Sequence, residues 1–467
     1  MTRLVVLALI AAATACGGGV QRVGSQPSWR AHGSDAAGAA EPAAATLPSA
    51  PRAMTFTPTS EPAARYNEPS KAPPPSSPLA DAVLAAVRDA AAASKLPAPV
   101  ADARLFRACA ELADLVPDDG TLEVELIDFV MHRQGLIEPV PRMLFLWAPL
   151  DDVDAVIEQL RPQLPEILAE GVRGRVGIGL AKRKADGTGA FVFAFQAVGL
   201  STSPIPRAVP AGGSFAIDAT VEGGYRDPEL FVTREDGRTD RVAIQAGKRG
   251  AFRANILCGT HVGKQQVEIA ATGPAGSTAL ANFPVWCGTD PPSSVTVEPT
   301  LASEDATTAP EIEKQLFALI NRDRVAAGLP ALAWDDRVAA VSRAYSDEMR
   351  KTKVVAHVSP TSGAAADRVR AGGIKTAVVL ENIARAYGAG EAHAGLMNSP
   401  GHRMNILSTA ATHVGIGVVL AGDGDDRPTL YVTEVFIRVP PKVDRSQAAS
   451  LVHARIDAVR KVGVDPT

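Results

Sequence analysis

The chain lacks any long basic run. Its 47 Lys and Arg face 51 Asp and Glu, a formal net charge of −4 with a pI near 6.1. No field of that sign attracts nucleic acid, which removes that class of partner. Aromatic residues are scarce, at 5% of 467 positions, and cysteine is scarcer, with four. A G-x-S-x-G nucleophile elbow is absent, and so is a local metal motif of the HExxH kind. The apolar run that opens the chain, Leu4 to Ala13, is too short to span a bilayer, which takes about 20 residues. What is plentiful is small or apolar: 46% hydrophobic residues, much Ala, 40 Gly and 36 Pro. That composition supports real cores joined by linkers and many turns, and the length suits two to four domains of about 100–200 residues each.

The first 16 residues read as a targeting segment. Met1-Thr2-Arg3 supplies one positive charge, an apolar run follows, and small residues lead to Cys16. The stretch "ATAC", Ala13 to Cys16, resembles a bacterial lipoprotein cleavage box, with Ala13 where Leu is usual. That resemblance implies a lipidated Cys16 and a protein anchored to a membrane rather than spanning it. Gly17 after the cysteine, in place of Asp, points to the outer membrane. An ordinary secretory signal is the alternative. Either way the chain is exported to the cell envelope, where disulfides persist. Cys258 and Cys287 each end a strand-like segment, "FRANILC" and "ANFPVWC", and are expected to pair. Cys109 lies on an apolar helical pattern and reads as a small buried residue.

Residues 17–78, rich in Ala, Pro, Ser and Gly, read as a disordered tether. Residues 79–200 are α/β. "LADAVLAAVRDAA", "ARLFRACAELADLV" and "DDVDAVIEQL" have helical spacing, while "RMLFLW", "GRVGIGLAK" and "AFVFAFQAV" read as strands. Residues 201–295 alternate apolar and polar positions between turns, the pattern of an all-β, Ig-like sandwich. Residues 296–308 form a linker. Residues 309–440 return to α/β, with a predicted hairpin of "HVGIGVVL" and "TLYVTEVFI" closed by "GDGDDRP". The tail, 441–467, carries one more helix, from about Ser446 to Lys461.

Two segments repeat. "KLPAPVADARLFRACAELADL" at 95–115 aligns with "GLPALAWDDRVAAVSRAYSDE" at 328–348, a shift of 233, and "RVGIGLA" at 175–181 aligns with "HVGIGVV" at 413–419, a shift of 238. Helix, helix, spacer and hairpin recur in order. The chain therefore reads as two copies of one α/β unit with a β module between them.

Polar residues cluster in the C-terminal copy: His357 in "AHVSP", Glu381 and Asn382 in "LENIA", His402 and Asn405 in "NSPGHRMNIL". Two His and a Glu can form an open metal site or an acid/base cluster near neutral pH. Equally, His402 can order a helix start while the asparagines cap turns. Ser359 and Ser399 sit beside prolines and read as turn or cap residues rather than nucleophiles.

These motifs, together with "LINRDRVAAGLPAL", "HVGIGV" and "YVTEVF", resemble the bacterial branch of the CAP superfamily (SCP domain; cysteine-rich secretory, antigen 5 and pathogenesis-related proteins) over residues 309–438. The resemblance implies an α-β-α sandwich with a cleft of two His and two Glu that binds a divalent cation in some members. His357, Glu381 and His402 match three of the four. The second Glu has no counterpart, and Leu396 stands where many bacterial members have Trp. Zinc at His357 and His402 is one expectation. At the repeat offsets the N-terminal copy places Leu164 for His402, Val124 for His357 and Pro162 for Pro400, a degenerate copy without the polar cleft; His132 reads as a surface-loop residue.

Three functions fit. The incomplete cleft favours a non-enzymatic binding module for a lipid-like, glycan or protein ligand. The alternatives are a metal-assisted hydrolase of peptides or wall material, using His357, Glu381 and His402, and a structural envelope protein.

Overall fold

The computed structural model of the protein describes residues 5–10, 54–116, 122–168, 173–184, 186–260, 262–297, 306–422, 428–439 and 445–462. Cys16, most of the expected tether, residues 298–305 of the expected linker and the "GDGDD" turn lie outside them. No helix among the described residues is long and apolar enough to cross a membrane.

The two α/β regions are built alike. Helix Ala103–Leu115 starts at Asp102, whose Oδ1 accepts the Arg104 backbone N–H at 2.8 Å. Helix Asp336–Thr352 starts at Asp335, which accepts the Arg337 N–H at 2.9 Å. These are side-chain N-caps. In both, the arginine turns back onto its cap, Arg104 to Asp102 at 2.7 Å and Arg337 to Asp335 at 2.9 Å. Each helix lies on a hairpin. The first pairs Gly174–Lys182 with Thr188–Ala197, and the second pairs His413–Ala421 with Thr429–Ile437. A short strand runs parallel to the first arm of each hairpin, Val100–Ala101 and Ala333–Trp334. An antiparallel strand joins the second arm, Arg142–Pro149 and Val379–Ala386. The four-strand order is therefore the same in both regions.

Glycines explain the shared "VGIG". A Cβ on Gly179 would lie 2.0 Å from the Cys109 carbonyl oxygen, and one on Gly417 would lie 2.1 Å from the Arg343 nitrogen. Only hydrogen at these positions lets a helix backbone rest directly on the strand. Both sheets carry apolar side chains on each face: Met143 and Val192 against Leu144, Phe191 and Phe193 in the first, Val414 and Phe436 against Ile383 and Val435 in the second. Burial on both faces is what makes these strands near-continuous apolar runs. Cys109 is free and buried, as its helical position predicts.

Between them, the central region holds two sheets that share one core containing Phe215, Ile217, Val267 and Phe283. Cys258, at the end of Ala251–Leu257 in one sheet, is bonded to Cys287 of Gly276–Cys287 in the other, with a Cα–Cα distance of 5.5 Å. The expected bridge thus ties the two sheets together. The tail helix runs Arg445–Val462, close to its predicted span.

Two expectations need correction. Residues 54–78 are not a free tether. Met54–Phe56 pairs with Val295–Val297, at the start of the expected linker. Arg65–Tyr66 pairs with Ile205–Pro206, and Tyr66 is fully buried with its ring 5.1 Å from that of Phe283. This segment has no core of its own, but it lends one aromatic to a core that other residues build. His132 is not on a surface loop. It belongs to helix Val124–Arg133, is buried, and its Nε2 is 2.9 Å from the Asn282 carbonyl oxygen, 150 residues away. "LENIA", singled out as a motif, is part of a central strand. In the uncleaved chain, Val5–Ile10 pairs antiparallel with Arg142–Pro149.

Candidate functional site

Strand alternation decides where the polar residues of "LENIA" go. Glu381 and Asn382 are neighbours on Val379–Ala386, so they point to opposite faces of the sheet.

On one face, Glu381 Oε1 is 3.0 Å from His357 Nδ1. Its Oε2 accepts a hydrogen bond from Arg368. The Arg368 guanidinium in turn lies 3.4 Å over the Tyr345 ring, a cation–π contact. The Tyr345 hydroxyl, pushed up to about 12 chiefly by burial, donates to the Ala356 carbonyl beside His357. Glu381 is therefore a bridge: it orients one ring nitrogen of His357 and is neutralised by a buried arginine. The His357 side chain keeps 16% exposure.

On the other face, Asn382 donates to Glu434 Oε2 at 3.0 Å and to the His402 carbonyl at 3.3 Å. Asn405 donates to Asn382 Oδ1 at 3.0 Å and to the Glu381 carbonyl at 3.1 Å. The two asparagines thus pin helix Pro400–Ile406 to the strand instead of capping turns. The His402 ring is buried, and neither nitrogen has a hydrogen-bond partner among the described residues. Burial, and secondarily His357, hold its basicity well below the usual histidine range. At neutral pH it is an uncharged imidazole. Glu434 is likewise buried, and burial pushes its carboxyl up to about 7 against the bond from Asn382. Its Oε1 has no partner.

The His357 and His402 rings stand 6.4 Å apart between centroids, 32° from coplanar. The structure thus brings His357, Glu381 and His402 together, with Glu434 behind them. A protein-held zinc takes at least three ligands. The third candidate, Glu381, has both oxygens committed, and among the described residues no group of three or more His, Cys, Asp or Glu is placed to hold a metal ion. The donor set does not fit the cation expected from the resemblance. Ser359 is a turn residue as read, whereas Ser399 makes no cap hydrogen bond to its helix. Ser359 bonds to Glu348 and accepts the Thr361 and Ser362 N–H groups, and Ser399 bonds to Glu268 at 2.5 Å.

That last contact comes from the central region, which grips the site at two points. Glu268, on Gly263–Gly273, also accepts the Gly401 N–H at 2.9 Å, and burial pushes its carboxyl up to about 7. The Ala275 carbonyl accepts the N–H groups of His357, at 2.9 Å, and Val358, at 3.1 Å. Next to it, Gly276 has φ +99°, and a Cβ there would lie 2.8 Å from that of His357. Sequence reasoning missed Glu434 and Glu268. Glu434 had a signal, since it interrupts the apolar series Leu430, Val432, Phe436 on one strand face. Glu268 had none, because its partners are 131 and 133 residues away.

The N-terminal region shows the same frame without the polar groups. Gly177 pairs across to Ala194 and then Met143, as Gly415 does to Val435 and then Glu381. One step along, Leu144 and Phe193 occupy the places of Asn382 and Glu434. Leu164, aligned with His402, is buried at the start of helix Leu164–Leu168.

Comparison with known proteins fits this architecture. Residues 317–436 match the model of the CAP family, described as the cysteine-rich secretory protein family. This part of the chain is a CAP domain. The uncharacterized membrane protein YlbC of Bacillus subtilis is 38% identical over 127 residues, 27% of this chain and 34% of YlbC. The uncharacterized protein YkwD of the same organism is 37% identical over 111 residues, 24% of this chain and 43% of YkwD. The chain thus spans less than half the length of either relative. Among solved structures, an extracellular protein containing an SCP domain from Bacillus anthracis aligns with 52% of this chain and 87% of its own, at 20% identity and a TM-score of 0.26.

Proposed function

We propose that the chain is an exported cell-envelope protein whose CAP domain is a non-enzymatic binding module. It takes a lipid-like, glycan or protein ligand through the His357/Glu381/His402 cleft or the surface flanking it. In this reading residues 79–200 are a degenerate CAP-like copy, residues 201–295 an Ig-like spacer, and Cys16 a lipid anchor to the outer membrane. The observation that carries it is the state of the cleft's reactive groups. Glu381 is held between His357 and Arg368, His402 is buried and uncharged, and the hydroxyls of Ser359 and Ser399 are engaged elsewhere. A hydrolytic site needs a nucleophile beside its base, and the engagement of both hydroxyls opposes that. The Cys258–Cys287 bridge agrees with an oxidising compartment, and the name of the B. subtilis relative, a membrane protein, agrees with attachment to a membrane.

The test is retention of the mature chain on isolated wall glycan, on phospholipid vesicles and on immobilised envelope proteins, with release of fragments followed in parallel. The reading predicts saturable retention on one of the three, weakened roughly tenfold or more by His357→Ala, with no fragments released. Fragment release that stops in His357→Ala would replace it with the metal-assisted hydrolase.

A further inference from the structure

A cavity of about 410 Å³ opens where three regions meet: helix Val124–Arg133 of the first, strands of the central region, and helix Ala389–Asn398 of the CAP domain. Its volume lies in the range of small-molecule sites. None of its lining residues belongs to the His357/Glu381/His402 cleft.

Its walls combine aromatic surface with opposed charges. Tyr66, Phe129 and Trp286 provide the apolar part, Asp128, Glu125, Glu123 and Glu391 the acidic groups, and Lys264 and Arg207 the basic ones. Asp128 and Lys264 are close enough for each to bias the other's ionisation. Yet their side chains make no direct hydrogen bond or ion pair among the described residues. Burial pushes the Asp128 carboxyl up to about 7, helped by Glu125 and opposed by Lys264, and it lowers the Lys264 ammonium. Both side chains are half-buried, and opposite charges held apart in such a place favour polar groups between them. Two further atoms agree. The Tyr66 hydroxyl is wholly buried and finds no partner of hydrogen-bonding geometry. The Arg207 Nε is buried and unpartnered as well, although its Nη1 donates to the Ala63 carbonyl at 3.2 Å. Two buried polar atoms at this cavity thus lack a partner, and Asp128 and Lys264, which also line it, do not bond to each other.

We infer that this junction cavity binds a small zwitterion, a free amino acid or short peptide with an apolar side chain. Its ammonium faces Asp128 and Glu125, its carboxylate faces Lys264 and Arg207, and its side chain rests on Phe129 and Trp286. Because the lining comes from all three regions, such a ligand ties them into one body.

Calorimetric titration of the full mature chain with L-phenylalanine and the dipeptide Ala-Phe tests this, with N-acetyl-Ala-Phe and Ala-Phe amide as capped controls. Saturable one-to-one binding of at least one zwitterion is expected. It should weaken roughly tenfold or more when either end is capped, and equally in Asp128→Asn and Lys264→Met. His402→Ala should bind as the parent does, which separates this site from the CAP cleft. Melting temperatures identify any variant that fails to fold, and Asp128→Asn, an uncharged near-isostere, should melt at or above the parent temperature. No saturable binding of either zwitterion up to about 10 mM overturns the assignment. So does binding that capping, or both cavity substitutions in folded protein, leave unchanged.

Discussion

Glu434 and His402 are where burial and chemistry oppose each other most directly. Glu434 is raised from 4.5 to about 7 by burial. A raised carboxyl stabilises the fold most below its unfolded pKa, and that contribution is lost as pH rises through the folded value. Glu434→Gln keeps the shape and removes the titration. Its melting temperature relative to the parent should climb as pH goes from 4.5 to about 7 and level off above, with a total effect on the order of 3 kcal/mol. A pH-independent difference would mean that Glu434 is solvated in solution. His402 has the opposite sign. Its basicity is lowered, so its share of stability is complete above 6.5 and lost as pH falls below that value. His402→Leu, the residue of the other copy, should leave stability near neutral pH close to the parent's and make the chain more resistant to acid. Thermal melts at pH 7 and pH 5 decide it, and a variant that loses more than the parent between the two contradicts the buried, uncharged imidazole.

Among the elements, the helix-on-strand contact is the device both α/β regions use. Gly417→Ala sets a methyl group against the backbone of Asp336–Thr352, and Gly179→Ala does the same against Ala103–Leu115. Each should cost about 1–3 kcal/mol or more in chemical denaturation, whereas Gly224→Ala, where a Cβ meets nothing within 4 Å, should cost less despite its positive φ of 87°. This contact was legible in the sequence, because "VGIG" recurs at a fixed distance from a helix with the same Asp-x-Arg start. The hairpins, the tail helix and the Cys258–Cys287 bridge were legible for a similar reason, since each depends on local patterning or on residues at strand ends. The three cleft residues were legible through their motifs. What could not be read depends on partners far along the chain. His132 looks like a loop residue until the carbonyl of Asn282 is brought to it. Tyr66 sits in a Pro- and Ser-rich stretch and gains its burial from strands that follow it by more than a hundred residues. Glu268 reaches Ser399 only once the central region docks.

At the scale of the whole molecule, two other regions pack against the CAP domain. The central region holds both the His357 loop and helix Pro400–Ile406, so the cleft is shaped from outside as well as within. The anchor proposal is decided at the other end of the chain. Mass spectrometry of the mature N-terminus should find it at Cys16, with the mass of attached acyl chains; an unmodified terminus, or cleavage elsewhere, rules lipidation out. Whether the His357/Glu381/His402 cleft is a binding surface rather than a metal centre is tested most directly by calorimetric titration of zinc into the mature chain at neutral pH. With Glu381 committed to His357 and Arg368, no one-to-one uptake with a Kd below about 10 µM is expected, and His357→Ala and His402→Ala should give the parent's heats. One-to-one uptake that disappears in both variants would contradict it.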